Sequence, residues 1–183
     1  MEVCDNMLDD DCDGQIDCMD PDCPPCPPIR REPSGIQFDP GGRGLDRFKS
    51  HGRVRLRVPL DDVTDVRVAW LLTNASGIIY QASLLPGDLT PRRAGSYYFF
   101  KDPGAHLGQG IRAGLARVLI LVGNDGNLRY KVEGFGDMST ATDPEMTLQF
   151  YVGDEVFVFP ATWRRTPSGW IAPPPPIVPA GQR

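Results

Sequence analysis

The chain of 183 residues has no cysteine after Cys26 and only two histidines, His51 and His106. A domain of this size buries enough apolar surface to be stable without disulfide bonds, so the cysteine-free body does not depend on them. His51 lies in a predicted turn and His106 in a glycine-rich segment, and no serine or cysteine nucleophile motif accompanies either one. The sequence therefore gives little support for a catalytic centre.

Long apolar runs and helical periodicity are also missing. No run approaches the roughly 18 apolar residues of a membrane-spanning helix, so no membrane span is predicted. The segment 104–117 comes nearest to a helical pattern, but its glycines weaken any helix there. Glu2 follows Met1 without the basic and apolar regions of a secretory leader. We expect either that the true start lies upstream or that the chain is a fragment of an exported protein.

Basic residues are absent from the first 26 positions, which hold Glu2 and eight aspartates and carry a charge of −9. The remainder holds 19 basic and 15 acidic residues, which gives +4, and the two parts sum to the net charge of −5. We call residues 1–26 the acidic head. Because the charge is so unevenly spread, the acidic head and the mildly basic body need separate explanations.

Apolar and polar residues alternate with a period of two through much of the body, as is typical of strands with one buried face. In "GRVRLRV", Val54, Leu56 and Val58 alternate with arginines, and "NDGN" at 124–127 predicts a hairpin turn. Strands are predicted at 52–58, 64–72, 77–85, 96–102, 115–123, 128–136, 145–153 and 155–160. This spacing predicts a mainly β fold, an antiparallel β-sandwich of about eight strands, with a barrel as the alternative.

Composition divides the chain into four parts. We expect a small disulfide-braced metal-binding motif at 1–26, a proline-rich linker at 27–34, the β-sandwich at 35–170 and a proline-rich tail at 171–183.

The acidic head contains a pattern of oxygen donors that suits calcium. This hard cation takes six to eight oxygens, and a loop supplies them from positions 1, 3, 5, 7, 9 and 12, with glycine at position 6 for a sharp turn. Gly14 fixes the register, and Ile16 then falls at position 8, an apolar anchor position. The predicted ligands are Asp9, Asp11, Asp13, the carbonyl of Gln15, Asp17 and Asp20. The sequence thus predicts a calcium site, although position 12 carries aspartate where an EF-hand carries glutamate and no helices flank the loop.

The stretch "CDNMLDDDCDGQIDCMDPDC" at 4–23 resembles thrombospondin type 3 calcium repeats. It resembles more closely a short metal-binding motif of bacterial secreted and cell-surface proteins, which reads approximately C-D-N-x-x-D-D-D-C-D-G-x-x-D. The resemblance implies an extracellular or cell-surface location, and it implies a disulfide between Cys4 and Cys12. It covers only the acidic head and says little about the body.

Five cysteines, Cys4, Cys12, Cys18, Cys23 and Cys26, lie among the aspartates. A short cross-link preorganises a loop that has no core of its own, so we predict disulfides, with the other pairings open and one cysteine left over. The alternative is a Zn²⁺ site formed by Cys12, Cys18, Cys23 and Cys26, because the last two have C-x₂-C spacing. A redox pair at Cys23 and Cys26 fits less well, since proline-rich flanks do not form a strand–helix junction.

The stripe of Arg53, Arg55 and Arg57 and the aromatic run at 97–100 together have the composition of a nucleic-acid-binding surface. We interpret the stripe as the solvent-facing side of a strand, and a sequence pI near 5.0 argues against steering to phosphates. No nucleic-acid partner is therefore predicted.

These observations favour a calcium-binding, non-catalytic exported or cell-surface protein. Its β-sandwich would be an adhesion or ligand-binding module for a protein or glycan. Two alternatives stay open, namely a secreted hydrolase with its site on the sandwich loops and an intracellular zinc-binding interaction module.

Overall fold

Thirteen strands and two single turns of 3-10 helix make up the regular structure of the computed structural model, which describes residues 30–31, 34–58, 60, 62–92, 97–123 and 126–172. The 3-10 turns are Val63–Asp65 and Ala105–Leu107. The strands are β1 (Arg30–Arg31), β2 (Gly35–Gln37), β3 (Asp46–Arg55), β4 (Val68–Asn74), β5 (Gly77–Leu84), β6 (Thr90–Arg92), β7 (Tyr97–Lys101), β8 (Leu115–Val122), β9 (Asn127–Gly136), β10 (Glu145–Val152), β11 (Glu155–Thr162), β12 (Arg164–Thr166) and β13 (Gly169–Ile171). No helix within these ranges has the length and apolar character needed to cross a membrane.

The strands form two antiparallel sheets. The nine-stranded sheet has the order β12-β13-β2-β3-β9-β8-β7-β6, and β1 pairs with β3 beside β2. The four-stranded sheet has the order β11-β10-β4-β5. Its central pair, β4 with β10, joins segments far apart in the sequence, as β3 with β9 does in the larger sheet.

The core lies between the two sheets and is built by the predicted alternation. Phe48 and Val54 of β3 and Leu128, Tyr130 and Val132 of β9 point inward from the larger sheet. The smaller sheet contributes Trp70 of β4 and Met146, Leu148, Phe150 and Phe157 of β10 and β11. The Tyr130 ring stacks on Phe150 with a centroid distance of 4.1 Å, and Phe150 lies 5.3 Å from Trp70.

This architecture confirms the predicted fold class, a mainly β antiparallel sandwich. The described strands do not close into the alternative barrel. The count exceeds the predicted eight because β1, β2, β6, β12 and β13 have only two or three residues each, too few to show a period of two.

The first two predicted strands differ most from the observed ones, β3 and β4, while the other predicted bounds differ by no more than two residues. β3 begins at Asp46, earlier than predicted, and ends at Arg55, because the backbone N–H groups of Arg57 and Val58 donate to the Glu155 carboxylate instead of to a neighbouring strand. The predicted strand 64–72 begins only at Val68. Before it, Asp62 accepts hydrogen bonds of 2.8 Å from both the N–H and the hydroxyl of Thr64 and caps a 3-10 turn.

Close packing fixes the pairing of β3 with β9 at Gly52, which lies opposite Tyr130. A Cβ atom at Gly52 would lie 2.5 Å from Cε1 of the Tyr130 ring. The ring cannot move aside easily, because it stacks on Phe150 and its hydroxyl lies 3.2 Å from the buried Ser50 hydroxyl, which in turn lies 2.9 Å from the hydroxyl of Ser34. Only glycine fits at this position.

We therefore expect Gly52→Ala to lower the free energy of unfolding by about 1–3 kcal/mol, the usual effect of overpacking a core. Urea denaturation followed by tryptophan fluorescence measures it. Gly41→Ala is the matched control, because no described atom lies within 4 Å of a Cβ built there. Equal stability of the two variants would contradict this account of the β3–β9 contact.

Candidate functional site

The outward side of β3 carries the basic residues that alternate with its core residues. Arg47, Lys49, Arg53 and Arg55 lie on this side, and all of them are at least partly exposed. Because β9 alternates in the same way, Arg129 and Lys131 are exposed beside them. Arg57, predicted as part of the same stripe, lies beyond the end of β3.

Strand register brings basic residues from distant segments together. Arg53 lies directly opposite Arg129, and Lys49 lies opposite Glu133. Glu133 lies opposite Arg117 of β8, and Arg117 lies opposite Lys101 of β7. Cross-strand neighbours of this kind have Cβ atoms about 4.5–5.5 Å apart.

We call this surface the cationic face and define it by its basic residues on five neighbouring strands. Glu133 is the one acidic residue that the described strands place among them. With nine basic residues and one acidic residue the face carries a charge of +8. The basic residues are Arg47, Lys49, Arg53, Arg55, Arg92, Lys101, Arg117, Arg129 and Lys131.

Glu133 neutralises little of this charge. Its Oε1 lies 3.3 Å from the Nζ of Lys49 and 3.7 Å from an Nη of Arg47, so one carboxylate serves two cations. Arg53 and Arg129 have no carboxylate within 4 Å in the described part of the chain. Like charges directly opposite each other in a sheet destabilise it. The charges of the cationic face thus lower the stability of the sheet, and core packing does not require them.

An apolar strip adjoins the cations on β7 and β8, formed by Tyr97, Phe99, Leu119 and Leu121. Leu119 lies between Lys131 and Phe99 in the register. In the same way Leu121 lies between Arg129 and Tyr97, and 40% of Leu121 is exposed. The Tyr97 and Phe99 rings are nearly parallel, with an interplanar angle of 12° and a centroid distance of 6.5 Å. The surface therefore combines positive charge with partly exposed apolar groups.

A cavity of about 380 Å³ lies at one end of the cationic face. Arg47 and Phe135, which are opposite each other on β3 and β9, line it together with Arg43, Leu45 and His106. The His106 ring makes an edge contact with Phe135 at a centroid distance of 6.4 Å. The cavity thus places two arginines and a histidine around an aromatic and an aliphatic side chain.

The loop that carries Arg43 is held by hydrogen bonds from its backbone N–H groups to the carboxylates of Asp39 and Asp46. Asp39 Oδ1 accepts from the N–H groups of Arg43, at 2.6 Å, and Gly44, at 2.9 Å. Asp39 donates its own N–H to Asp46 Oδ1, at the start of β3. This loop wall of the cavity is thereby anchored to the strand that carries Arg47.

The outer side of the four-stranded sheet has a different character. One cross-strand row contains Gln81, Leu71, Gln149 and Val158, none of which is charged. Thr73 and Thr147 are opposite each other in the next row. The concentration of charge is therefore a property of one face of the sandwich and not of exposed strands in general.

Two polar contacts near these strands stabilise loops and do not belong to the cationic face. They are the Arg112–Asp88 ion pair and the hydrogen bonds from Thr64 to Asp62. Arg112 donates to both Asp88 oxygens, at 2.5 and 2.8 Å, and this bond holds the pKa of the Asp88 carboxyl below its usual value. Burial, with the nearby Asp62 charge, raises the pKa of Tyr98, while hydrogen bonds from Thr64 lower the pKa of Asp62. Tyr98 points into the core, on the opposite side of β7 from Tyr97.

The predicted calcium ligands and cysteines all lie outside the described residues. These are Asp9, Asp11, Asp13, Gln15, Asp17 and Asp20, with Cys4, Cys12, Cys18, Cys23 and Cys26. Of the two histidines, His51 lies on β3 between Lys49 and Arg53, and His106 lines the cavity. Within the described ranges, no group of three or more histidine, cysteine, aspartate or glutamate residues could hold a metal ion.

Comparisons with protein-family models, with curated proteins and with solved structures give no match to this chain.

Sequence reasoning identified part of the cationic face and missed the rest. The alternation in 52–58 predicts the arginines of β3 as a solvent-facing stripe and gives no sign of a binding surface. The same alternation in 128–136 was the signal for Arg129 and Lys131. That the two stripes are adjacent depends on a pairing across some 75 residues, which periodicity does not encode; Arg53 and Arg129 are the paired positions.

If the facing arginines repel each other, Arg129→Gln should raise the free energy of unfolding by a few tenths of a kcal/mol at low ionic strength. Salt at about 1 M should remove most of the gain, because the screening length then falls to about 3 Å, shorter than the spacing of facing side chains. Arg67→Gln makes the same charge change at an exposed position before β4 and serves as the control. Urea denaturation at two salt concentrations tests this, and a loss of stability specific to Arg129→Gln would contradict it.

Proposed function

We propose that the protein is a calcium-binding, non-catalytic exported or cell-surface protein whose sandwich binds an acidic polysaccharide through the cationic face. The observation that supports it is the cluster of nine basic residues around a single carboxylate, beside an apolar strip. Such clustering weakens the sheet, so folding does not account for it and a role in binding does.

The chemistry of the face suits a polymer with repeated acidic groups. Arginine and lysine donate charge-assisted hydrogen bonds to carboxylate and sulfate oxygens. Basic residues two apart on one strand are separated by about 6.6–6.8 Å, and neighbouring strands by about 4.8 Å, which gives a grid of cations along an extended anion. The apolar strip offers contact to the C–H groups of sugar rings, while the cavity with Arg43 and Arg47 can receive a terminal acidic group.

A polysaccharide fits the proposed location better than a nucleic acid does. The resemblance of the acidic head to motifs of secreted and cell-surface proteins favours an extracellular chain, where acidic glycans are the polyanions available. Recognition here is by charge and apolar contact.

Calcium is proposed to bind in the acidic head. Asp9, Asp11, Asp13, Asp17 and Asp20 with the Gln15 carbonyl supply oxygens in calcium-loop order. The cysteines of the same segment would stiffen the loop as disulfides. This part of the proposal is supported by the sequence pattern alone.

We expect the full chain to bind chondroitin sulfate and not dextran, a neutral polysaccharide. Single changes of Arg53, Arg129 or Lys131 to glutamine should each weaken binding by about three- to tenfold, the effect of one lost charge-assisted contact. Binding should also weaken steeply as salt rises. Isothermal titration calorimetry measures both effects.

Arg67→Gln is the matched control and should change the affinity less than about twofold, because it removes one charge away from the face. Equal losses in the control and the face variants would show that only net charge matters. Tighter binding of single-stranded poly(U) than of chondroitin sulfate would replace the polysaccharide by a nucleic acid as the ligand.

Calcium binding is expected with a dissociation constant of about 10⁻⁴–10⁻³ M, as in extracellular calcium modules. Asp9→Asn together with Asp13→Asn should abolish it, because two charged ligands are lost. Asp5→Asn with Asp22→Asn is the control, since these aspartates lie outside the ligand positions. Calorimetry with calcium tests the site, and metal analysis with and without reductant separates calcium from a zinc–thiolate site. Bound zinc with reduced thiols would overturn the calcium assignment.

A further inference from the structure

We infer that the acidic head occupies the cationic face of its own chain. The head carries a charge of −9 and the face a charge of +8. Both lie within one polypeptide whose net charge is only −5. Opposite charges of this size in one molecule attract each other unless the chain geometry keeps them apart.

The chain connection allows the two to meet. β1 pairs with β3 so that Arg30 lies directly opposite Arg53, at the centre of the basic row. Only residues 27–29 separate the acidic head from β1, and three residues span at most about 10–11 Å. Since strands are about 4.8 Å apart, β9 is about 10 Å from β1. The acidic head therefore starts within reach of Arg53 and Arg129.

Because the acidic head is joined to β1 by only three residues, it needs little intrinsic affinity to bind the cationic face. A segment joined by a few residues has an effective concentration in the millimolar range at its neighbouring site. Each exposed ion pair is weak by itself, but the face offers several cations without a carboxylate partner in the described chain, Arg53 and Arg129 among them. Because these cations lie beside one another, aspartates of the acidic head can form ion pairs with them in many different arrangements.

A consequence follows for ligand binding, and this step rests on the proposed function. An acidic polysaccharide and the acidic head compete for the same cations, so the head lowers the apparent affinity for the polysaccharide. A bound Ca²⁺ would reduce the charge of the head from −9 to −7 and gather its aspartates around one ion. Calcium would then release part of the cationic face to the external ligand.

The test compares the full chain with a full-length variant in which Asp9, Asp10, Asp11 and Asp13 are changed to asparagine, without calcium and at about 20 mM salt, where charges act over some 20–30 Å. Backbone amide signals of β3 and β9 should differ between the two proteins, whereas those of β4 and β5 should not. The differences should disappear at about 0.5 M salt. Unchanged β3 and β9 signals would overturn the inference.

Concentration separates the head of the same chain from the head of a second copy. Docking within the chain gives spectra independent of protein concentration. Signals that shift with dilution, together with a change in sedimentation, would mean that the head binds the face of another molecule and would overturn the intramolecular form.

The same variant distinguishes this inference from the proposed function. It should bind chondroitin sulfate at least fivefold more tightly than the unchanged chain, and calcium should no longer alter that affinity. Spectral evidence of docking without polysaccharide binding by either protein would leave the docking and overturn the proposed ligand. Equal polysaccharide affinity of both proteins, with no spectral difference, would leave the ligand and overturn the docking.

Discussion

The pairing of β3 with β9 is the interaction on which the rest of the structure depends. It joins ten residues on each strand, and it places Gly52 under the Tyr130 ring, where no larger residue fits. A shift of one residue in this register would move every side chain to the opposite face. It would bury Arg129 and Lys131 and expose Tyr130, so the register is strongly specified by the core. The same register that closes the core also assembles the cationic face.

Core and surface are thus two results of one alternating pattern, but they make opposite contributions to stability. The inward side of β9 stacks Tyr130 on Phe150 and seals the sandwich. On the outward side Arg129 lies opposite Arg53, and this pair of like charges lowers stability. A sheet does not need charged residues on its outer side, and the central outer rows of the four-stranded sheet contain threonine, glutamine, leucine and valine instead. The choice of arginine and lysine in the larger sheet is therefore a feature that folding alone does not explain.

The sequence was informative where a property is local. The alternation in 128–136 predicted a strand with the correct inward face, and the alternation in 52–58 correctly predicted Val54 and Leu56 as buried. Val58, predicted on the same inward face, lies beyond the end of β3 and is 69% exposed. The turn residues between segments predicted antiparallel order. It could not give the two-residue strand β1 or the row from Lys49 to Lys101, because these depend on pairing between distant segments. It placed the start of β4 too early, since the cap formed by Asp62 on Thr64 competes with strand formation. The calcium pattern is local as well, but its residues lie outside the described chain.

Net charge was the least reliable guide to the surface. A pI near 5.0 argues against steering to nucleic-acid phosphates, yet the acidic residues that set it are concentrated in the first 26 positions. Electrostatic attraction acts over about 8–10 Å at physiological salt, so a ligand responds to the local surface and not to the sum over the chain. The cationic face is basic at this local scale, because the outward side of its described strands carries one acid, Glu133, for nine bases. When the charges of the acidic head and of the cationic face are considered separately, the head is a competitor of any external polyanion for the face. In the docking that we infer, access to the face therefore depends on what neutralises the head.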